Sequence, residues 1–317
     1  MTIIYFLSQQ MMYFAVPLLI VGLGGLFSEK SGVTNISLEG TMVIGGLSGV
    51  LFINSFQGQL DGQLLLLIAL LIAGLSGAVI ILLHAFAAIN MHADQIISGT
   101  AINTFAPAFS IFVARMIYGV QQIPFSNTFK ISQVPVLGSI PIIGPILFQN
   151  AYITTYLGWL ILAITSIVVY KTKFGLRMVA CGEYPQSADS VGVSVHKVRY
   201  MSVLISGFLS GLGGLIFIIP TSTSFNATVS GYGFLALAVL IFGQWKPSGV
   251  FFASLFFGIM KTISATYSSI PILSNVAISS EIYKMIPYLA TLIVLFFTAK
   301  KSKAPRSVGI PYDKGQR

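Results

Sequence analysis

Nine apolar stretches follow one another along this chain, near residues 10–27, 38–54, 64–84, 95–117, 151–170, 200–219, 229–244, 249–267 and 284–300. Each approaches the ~20 residues a helix needs to cross the hydrocarbon core of a bilayer. No other feature constrains the fold as much, because backbone polar groups in lipid must be satisfied inside the spanning segment. A closed barrel would satisfy them too, but the two-residue alternation of its strands is missing. Composition agrees. Of the 317 residues, 55% are hydrophobic and 8% charged, whereas a soluble domain carries about 25% charged residues to hydrate its surface. The expectation is an all-α polytopic membrane protein forming a single transmembrane domain over residues 1–317. It has about nine transmembrane helices, or eight to ten if the chain breaks near 28–40.

One polar island interrupts the apolar pattern. Residues 171–200, KTKFGLRMVACGEYPQSADSVGVSVHKVRY, hold five of the 17 basic residues and two of the eight acids. Flanked by such sequence, the island is expected in water. The tail 300–317 holds six more basic residues. Clustered Lys and Arg mark the cytoplasmic side, so the loop 171–200 and the tail 301–317 are both placed inside. Lys246, in the turn QWKPSG, then also falls inside, with Met91–Gln95 and Ser28–Asn35. Residues 55–63, 118–150 and 268–283 fall outside, and the amino terminus emerges outside. That terminus lacks a basic leader, so it reads as a first span and not as a cleaved signal. The same clustering accounts for the net charge of +9 without a nucleic-acid partner.

The outer segment 118–150 contains Pro124, Pro135, Pro141 and Pro145, which leave no continuous helix. It reads equally as an interfacial loop or as a docking platform at an outer mouth. Two glycine runs, GLGGLF at 22–27 and GLGGLIF at 211–217, fit close helix packing and carry no claim of a repeat. Cys181 is the only cysteine, so no intrachain disulfide and no cysteine-based metal site can form.

The segment 25–46, GLFSEKSGVTNISLEGTMVIGG, places Glu39 at the start of a span, where the positive helix end favours it. Asn35 and Ser37 are suited to cap that helix. Alternatively, Glu39 anchors a broken helix beside a solute pathway, to which Asn35 and the intramembrane amide Asn103 would also belong. His84, His92 and Asp94 lie near one turn, but their spacing does not make a metal site. Arg115, Lys261, Glu281 and Lys284 lie near predicted span ends or can snorkel there. No Asp or Glu sits convincingly at mid-membrane to bind a coupling ion. A phosphate-binding glycine loop and a nucleophile–base pair are both missing. The chain is therefore expected to be a non-enzymatic subunit that needs no cofactor or metal, with its energy supplied by a partner.

Within the polar island, Pro185 suits a first helical position and Gly192 a stop, so a short helix is predicted over 184–191. This region, with Thr172, Gly175, Glu183, Pro185, Ala188 and Gly192, followed by SGFLSGLGGL, resembles the membrane permeases of ABC importers for branched-chain amino acids, ribose and nucleosides. The amino-terminal GGLFSEKSGVTNISLEGTMVIGG, ISGTAIN and the closing GIPYDKGQR are most similar to the nucleoside branch, which works with a basic membrane lipoprotein. The resemblance covers nearly the whole chain. It implies that Gly182, Glu183, Tyr184, Pro185, Ala188 and Gly192 form the segment that couples to an ABC ATPase subunit. Tyr184 and Ser187 depart from the Asn and Ala common in the family. The resemblance further implies a second homologous permease subunit, an extracytoplasmic solute-binding lipoprotein, surrounding membrane lipid and a bacterial cytoplasmic membrane. Nucleosides are the expected solute. Sugars or branched-chain amino acids are the alternative within the family, and an autonomous secondary carrier is the alternative outside it.

Overall fold

The computed structural model describes residues 2–269, 280–298 and 303–314. Among these residues eleven α-helices follow in order: α1 (Thr2–Lys30), α2 (Leu38–Phe56), α3 (Gly62–Ile89), α4 (Gln95–Tyr118), α5 (Ile153–Lys171), α6 (Lys173–Glu183), α7 (Pro185–Ser190), α8 (Val195–Thr221), α9 (Tyr232–Phe242), α10 (Pro247–Thr266) and α11 (Ser280–Thr298). Among the described residues, seven are long and apolar enough to cross a membrane: α1, α2, α3, α4, α5, α8 and α10. The protein is an all-α polytopic membrane protein. Helix α11 adds 19 residues with Pro287 inside; the side chains of Glu281 and Lys284 on it lie outside the described residues, as does part of the predicted outer loop 268–283.

The span expected at 229–244 is the main departure. Helix α9 has 11 residues and rises about 16 Å, roughly half of a ~30 Å hydrocarbon core. Gly231, at φ +78°, starts it in the left-handed region, and residues 222–231 approach it without helix. The approach 222–231, STSFNATVSG, is polar, so the apolar run at 229–244 extends little beyond the half-helix and falls short of the ~20 residues a full span needs.

Helix α8 is the axis of the bundle and packs against α1, α2 and α3. Glycine makes the approach close enough. A methyl group built on Gly211 would fall 2.3 Å from the Ala73 carbonyl oxygen on α3, and one on Gly45 of α2 would fall 2.2 Å from the Gly211 carbonyl oxygen. Backbones meet here with no side chain between them. In lipid, where burying apolar groups gives no drive for helices to associate, such contact maximises dispersion and weak backbone attraction. Large hydrophobic side chains such as Leu71, Val79, Phe112 and Ile167 remain exposed on the outer faces of α3, α4 and α5, as a lipid-facing surface requires.

Residues 119–152 form no long helix. Strand β1 (Ile123–Pro124) pairs antiparallel with β4 (Ser224–Phe225), and β2 (Ile131–Gln133) with β3 (Gln149–Ala151). The side-chain amides of Asn54 and Gln57, at the end of α2, donate to the carbonyls of Pro124 (2.7 Å) and Ser126 (2.8 Å). The segment is thus laced onto α2 and onto the loop after α8. Pro124 lies in β1, where a two-stranded pair leaves one edge unpaired, and Pro135, Pro141 and Pro145 fall outside the strands.

Candidate functional site

Two interruptions of helical backbone face each other within the bundle. The first is residues 31–37, between α1 and α2. A break buried in a membrane protein must satisfy the freed backbone groups from neighbours, and the polar side chains of this region do so. Asn103 on α4 accepts from the Gly40 N–H through Oδ1 (2.7 Å) and donates from Nδ2 to the Ile36 carbonyl (2.9 Å). Asn35, fully buried, accepts from the Ser37 N–H (3.1 Å) and Ser37 hydroxyl (2.6 Å), and donates to Ser206 Oγ on α8 (2.8 Å). His84 on α3 bonds the Thr34 carbonyl (2.9 Å) and Ser98 Oγ (2.7 Å), while Asp94 caps α4 by accepting from the N–H groups of Ile96 and Ile97. Ser37 itself makes no side-chain capping bond. Capping of α2 is therefore supplied across the bundle by Asn103.

The second interruption is the start of α9. Glu39 lies in the first turn of α2, as its sequence position suggests, but its carboxylate is used by another helix. Oε1 accepts from the Gly231 N–H (2.8 Å) and Oε2 from the Gly233 N–H (2.6 Å). These are orphan donors of the first turn of α9, where a negative charge also meets the positive end of the helix dipole. Gly233 is required for the approach, since a methyl there would fall 2.3 Å from the Glu39 nitrogen. Tyr232 follows with its ring buried against Phe217, centroids 3.9 Å apart. At the other end of α9, the Trp245 indole N–H donates to the buried Glu29 carboxylate (2.5 Å). Both ends of the half-helix are therefore held by acids from the amino-terminal segment.

The platform built from 171–194 is the third part. Thr172 caps α6 by accepting from the Gly175 N–H (3.1 Å). Gly175, Met178, Cys181 and Gly182 turn inward on one face of α6, and Gly182 lies so close to the Lys30 carbonyl that a methyl would fall 2.3 Å from its oxygen. Helix α7 begins with Pro185 at its first position, and Gly192 beyond its end has φ +84°. The predicted short helix is therefore present, shortened by a residue at each end.

The six residues singled out in this segment divide by exposure. Gly182, Pro185 and Ala188 are buried and seat the platform. Glu183 is half-buried, while Tyr184 and Gly192 face outward. Gln186, Ser187, Ser190 and Val191 share the outward face; of these Gln186, Ser190 and Val191 were not picked out from the sequence, and Val191, 78% exposed, is an uncovered apolar residue that only the structure reveals. Tyr184 and Ser187, the two departures from the family pattern, both lie on this face.

Arg199 corrects the reading of the whole island as solvated. It is 1% exposed and donates from Nε to the Ser31 carbonyl (3.2 Å) and from Nη1 to the Ile310 carbonyl (3.2 Å). The tail explains this burial. Ser307 N–H donates to the Gly182 carbonyl (2.8 Å) and Gly309 N–H to that of Gly32 (3.2 Å). Arg306 bonds the Tyr184 hydroxyl, with its guanidinium 5.1 Å from that ring centre. Lys314 pairs with Asp189 at 3.9 Å. The carboxy-terminal segment therefore straps the platform to the break at 31–34. Cys181 lies beneath it, and burial pushes its thiol up to about 11 against the opposing pull of Arg199.

Helix breaks facing one another inside a polytopic bundle, with their polar backbone held by side chains, define a membrane transporter of the solute-permease kind. The family described as Branched-chain amino acid transport system / permease component matches residues 8–295, and this chain belongs to it. It is 41% identical over 307 residues to the guanosine ABC transporter permease protein NupQ of Bacillus subtilis, covering 96% of this chain and 95% of that one. It is 37% identical over 307 residues to the nucleoside ABC transporter permease protein NupC of Lactococcus lactis, covering 96% of each. A putative glucose ABC transporter permease protein of Haloferax volcanii, TsgC13, is 28% identical over 316 residues, covering 92% of this chain and 91% of that one. No solved structure matches the chain.

Proposed function

We propose that this protein is the permease subunit of an ATP-driven importer that carries nucleosides into a bacterial cell. One observation carries the reading: full-length similarity at 41% and 37% identity to permeases named for guanosine and for nucleosides, against 28% to one named for glucose. A second homologous permease subunit completes the pathway, and ATPase subunits bind the cytoplasmic face. An extracytoplasmic binding lipoprotein delivers solute to the segment 119–152, whose β1–β4 pair borders an open polar hollow of about 390 Å³ lined by Asn127, Ser222, Ser224 and Asn226. The amino terminus faces outside and the basic tail faces the cytoplasm.

In this reading the ATPase grips the outward face of α7, with Tyr184, Gln186, Ser187, Ser190 and Val191 as contacts and Glu183 at the rim. Gly182, Pro185 and Ala188 transmit the movement because they seat the platform. Gly182 presses on the Lys30 carbonyl, the next residue binds Arg199, and the break continues through Asn35, Ile36 with Asn103, and Glu39 to the start of α9. Displacement of α7 therefore acts on both breaks without long-range strain. A ligand shifts such an equilibrium only by its differential affinity for the two states, so the drive comes from ATP in the partner.

Reconstitution in proteoliposomes tests the reading. Uptake of labelled nucleoside is expected only with the ATPase subunit and ATP present, and replacing the exposed Val191 by Asp is expected to lower the ATPase stimulation while insertion is retained. Gradient-driven uptake by this chain alone would overturn the proposal in favour of a secondary carrier.

A further inference from the structure

Lys261 is a cation inside a membrane helix, and among the described residues no acid pairs with it. It lies 14 residues beyond Pro247 on the 20-residue helix α10, which places it about 21 Å along the helix. Its ammonium rests 5.6 Å from the ring centre of Tyr232 and 5.6 Å from that of Tyr288. An ion pair among the described residues lies elsewhere, Lys314 with Asp189. Glu39, which caps the adjoining end of α9, is committed to the N–H groups of Gly231 and Gly233. Ionisable groups at such positions are costly and mark solute or ion pathways, and two ring faces compensate an ammonium only in part.

Three further features converge on the same place. The Tyr232 hydroxyl is buried without a hydrogen-bond partner among the described residues, which is itself unfavourable. Tyr288 is 53% exposed, so its ring is open to a ligand on one side. Beside it lies a hollow of about 370 Å³ between α9 and α11, bounded by Gly231, Phe234, Leu235, Tyr288 and Thr291, within the ~300–1,000 Å³ of small-molecule sites.

We propose that Lys261, Tyr232 and Tyr288 form the solute-recognition site of this permease, taking the base of a 6-oxopurine nucleoside. A planar heterocycle stacks on the open face of Tyr288, while the ammonium leaves the rings to donate to the base and the buried Tyr232 hydroxyl remains behind it as a polar group without a partner among the described residues. A 6-oxopurine offers two adjacent acceptors, O6 and N7, to one donor; an adenine replaces O6 by an amino group, which repels an ammonium. The cluster therefore selects guanosine-like over adenosine-like solutes.

This inference rests on the nucleoside reading above, and the experiment separates the two. Uptake of labelled guanosine by membrane vesicles carrying the complete importer is measured with and without competing adenosine, for the natural protein and for Lys261→Met. The variant is expected to raise the apparent KM for guanosine about tenfold, with Vmax changed less than about twofold, and to abolish the preference for guanosine over adenosine. Lys261→Arg, which restores a donor, is expected to regain part of that preference. Unchanged KM and preference in Lys261→Met, in vesicles where the natural importer works, overturns the recognition site and leaves the proposed function standing. Absence of ATP-dependent nucleoside uptake by the natural importer overturns the proposed function instead. Where Lys261→Met fails to assemble, Tyr288→Ala, at an already half-exposed side chain, is measured in the same way. A raised KM there supports the recognition site, and an unchanged one overturns it.

Discussion

Replacing Glu39 by Gln keeps the size of the side chain and removes what the start of α9 needs. The carboxylate now accepts from Gly231 N–H at 2.8 Å and from Gly233 N–H at 2.6 Å. A carboxamide has one accepting oxygen, so one bond survives and the other is replaced by an amino group facing an N–H donor. Hydrogen bonds to charged groups contribute about 1.5–3 kcal/mol each, and a buried donor left unpaired costs about 1–3 kcal/mol. Loss of one charged bond, weakening of the second to a neutral one and loss of charge at the helix end sum to ~3 kcal/mol. That corresponds to roughly a 150-fold rise in the fraction of molecules in which the first turn of α9 is open. Amide hydrogen exchange in nanodiscs reads this directly at residues 231–233. The expected result is a rise in exchange of about two orders of magnitude there, with little change in α3 or α5. Exchange within about threefold of the natural protein would refute the claim that Glu39 holds the half-helix, and with it the link between the two breaks.

Two further expectations follow from packing and from the buried thiol. Gly211→Ala places a methyl 2.3 Å from the Ala73 carbonyl oxygen, so α3 and α8 must separate. A destabilisation of about 1–3 kcal/mol is expected, read as a lower unfolding temperature of the detergent-solubilised protein, whereas an unchanged temperature would mean the two backbones are not in contact. Cys181, buried with its thiol raised to about 11, holds about one thiolate in a thousand at pH 8; maleimide labelling is expected to be negligible in the folded protein, to grow as pH is raised toward the thiol's own range, and to become rapid on unfolding. Prompt labelling of the folded protein at pH 7 would show that Cys181 does not lie on the buried face of α6.

The features that were legible in the sequence share one physical origin. Apolar length, cationic clusters, proline and glycine each act locally, so they can be read where they stand. The helical membrane class, the platform with Pro185 and Gly192 at its edges, and the absence of a continuous helix after Tyr118 all came from such signals. Within the candidate site the same signals gave positions without partners. Asn35, Glu39 and Asn103 are conspicuous as polar residues in apolar surroundings, but nothing near them in the chain reveals whether they meet a solute, a neighbouring side chain or a backbone donor. Val191 gave no signal at all, because exposure of a single valine depends on what fails to cover it.

Glu39 and Arg199 show where local reading ends. The first stands at the head of α2 and yet caps α9, across 192 and 194 residues of chain. The second belongs to the most charged stretch and is among the most buried residues, because Ser31 and Ile310 converge on it from 168 and 111 residues away. Sequence alone determined that this chain is a helical membrane protein, since lipid solvation acts on every apolar segment separately. Only the tertiary structure decided that α9 is a half-helix held by Glu39, and that the tail locks the platform onto the first break. Those outcomes depend on which backbone donors and acceptors are left unpaired once the helices have packed, and that is a property of the assembled bundle.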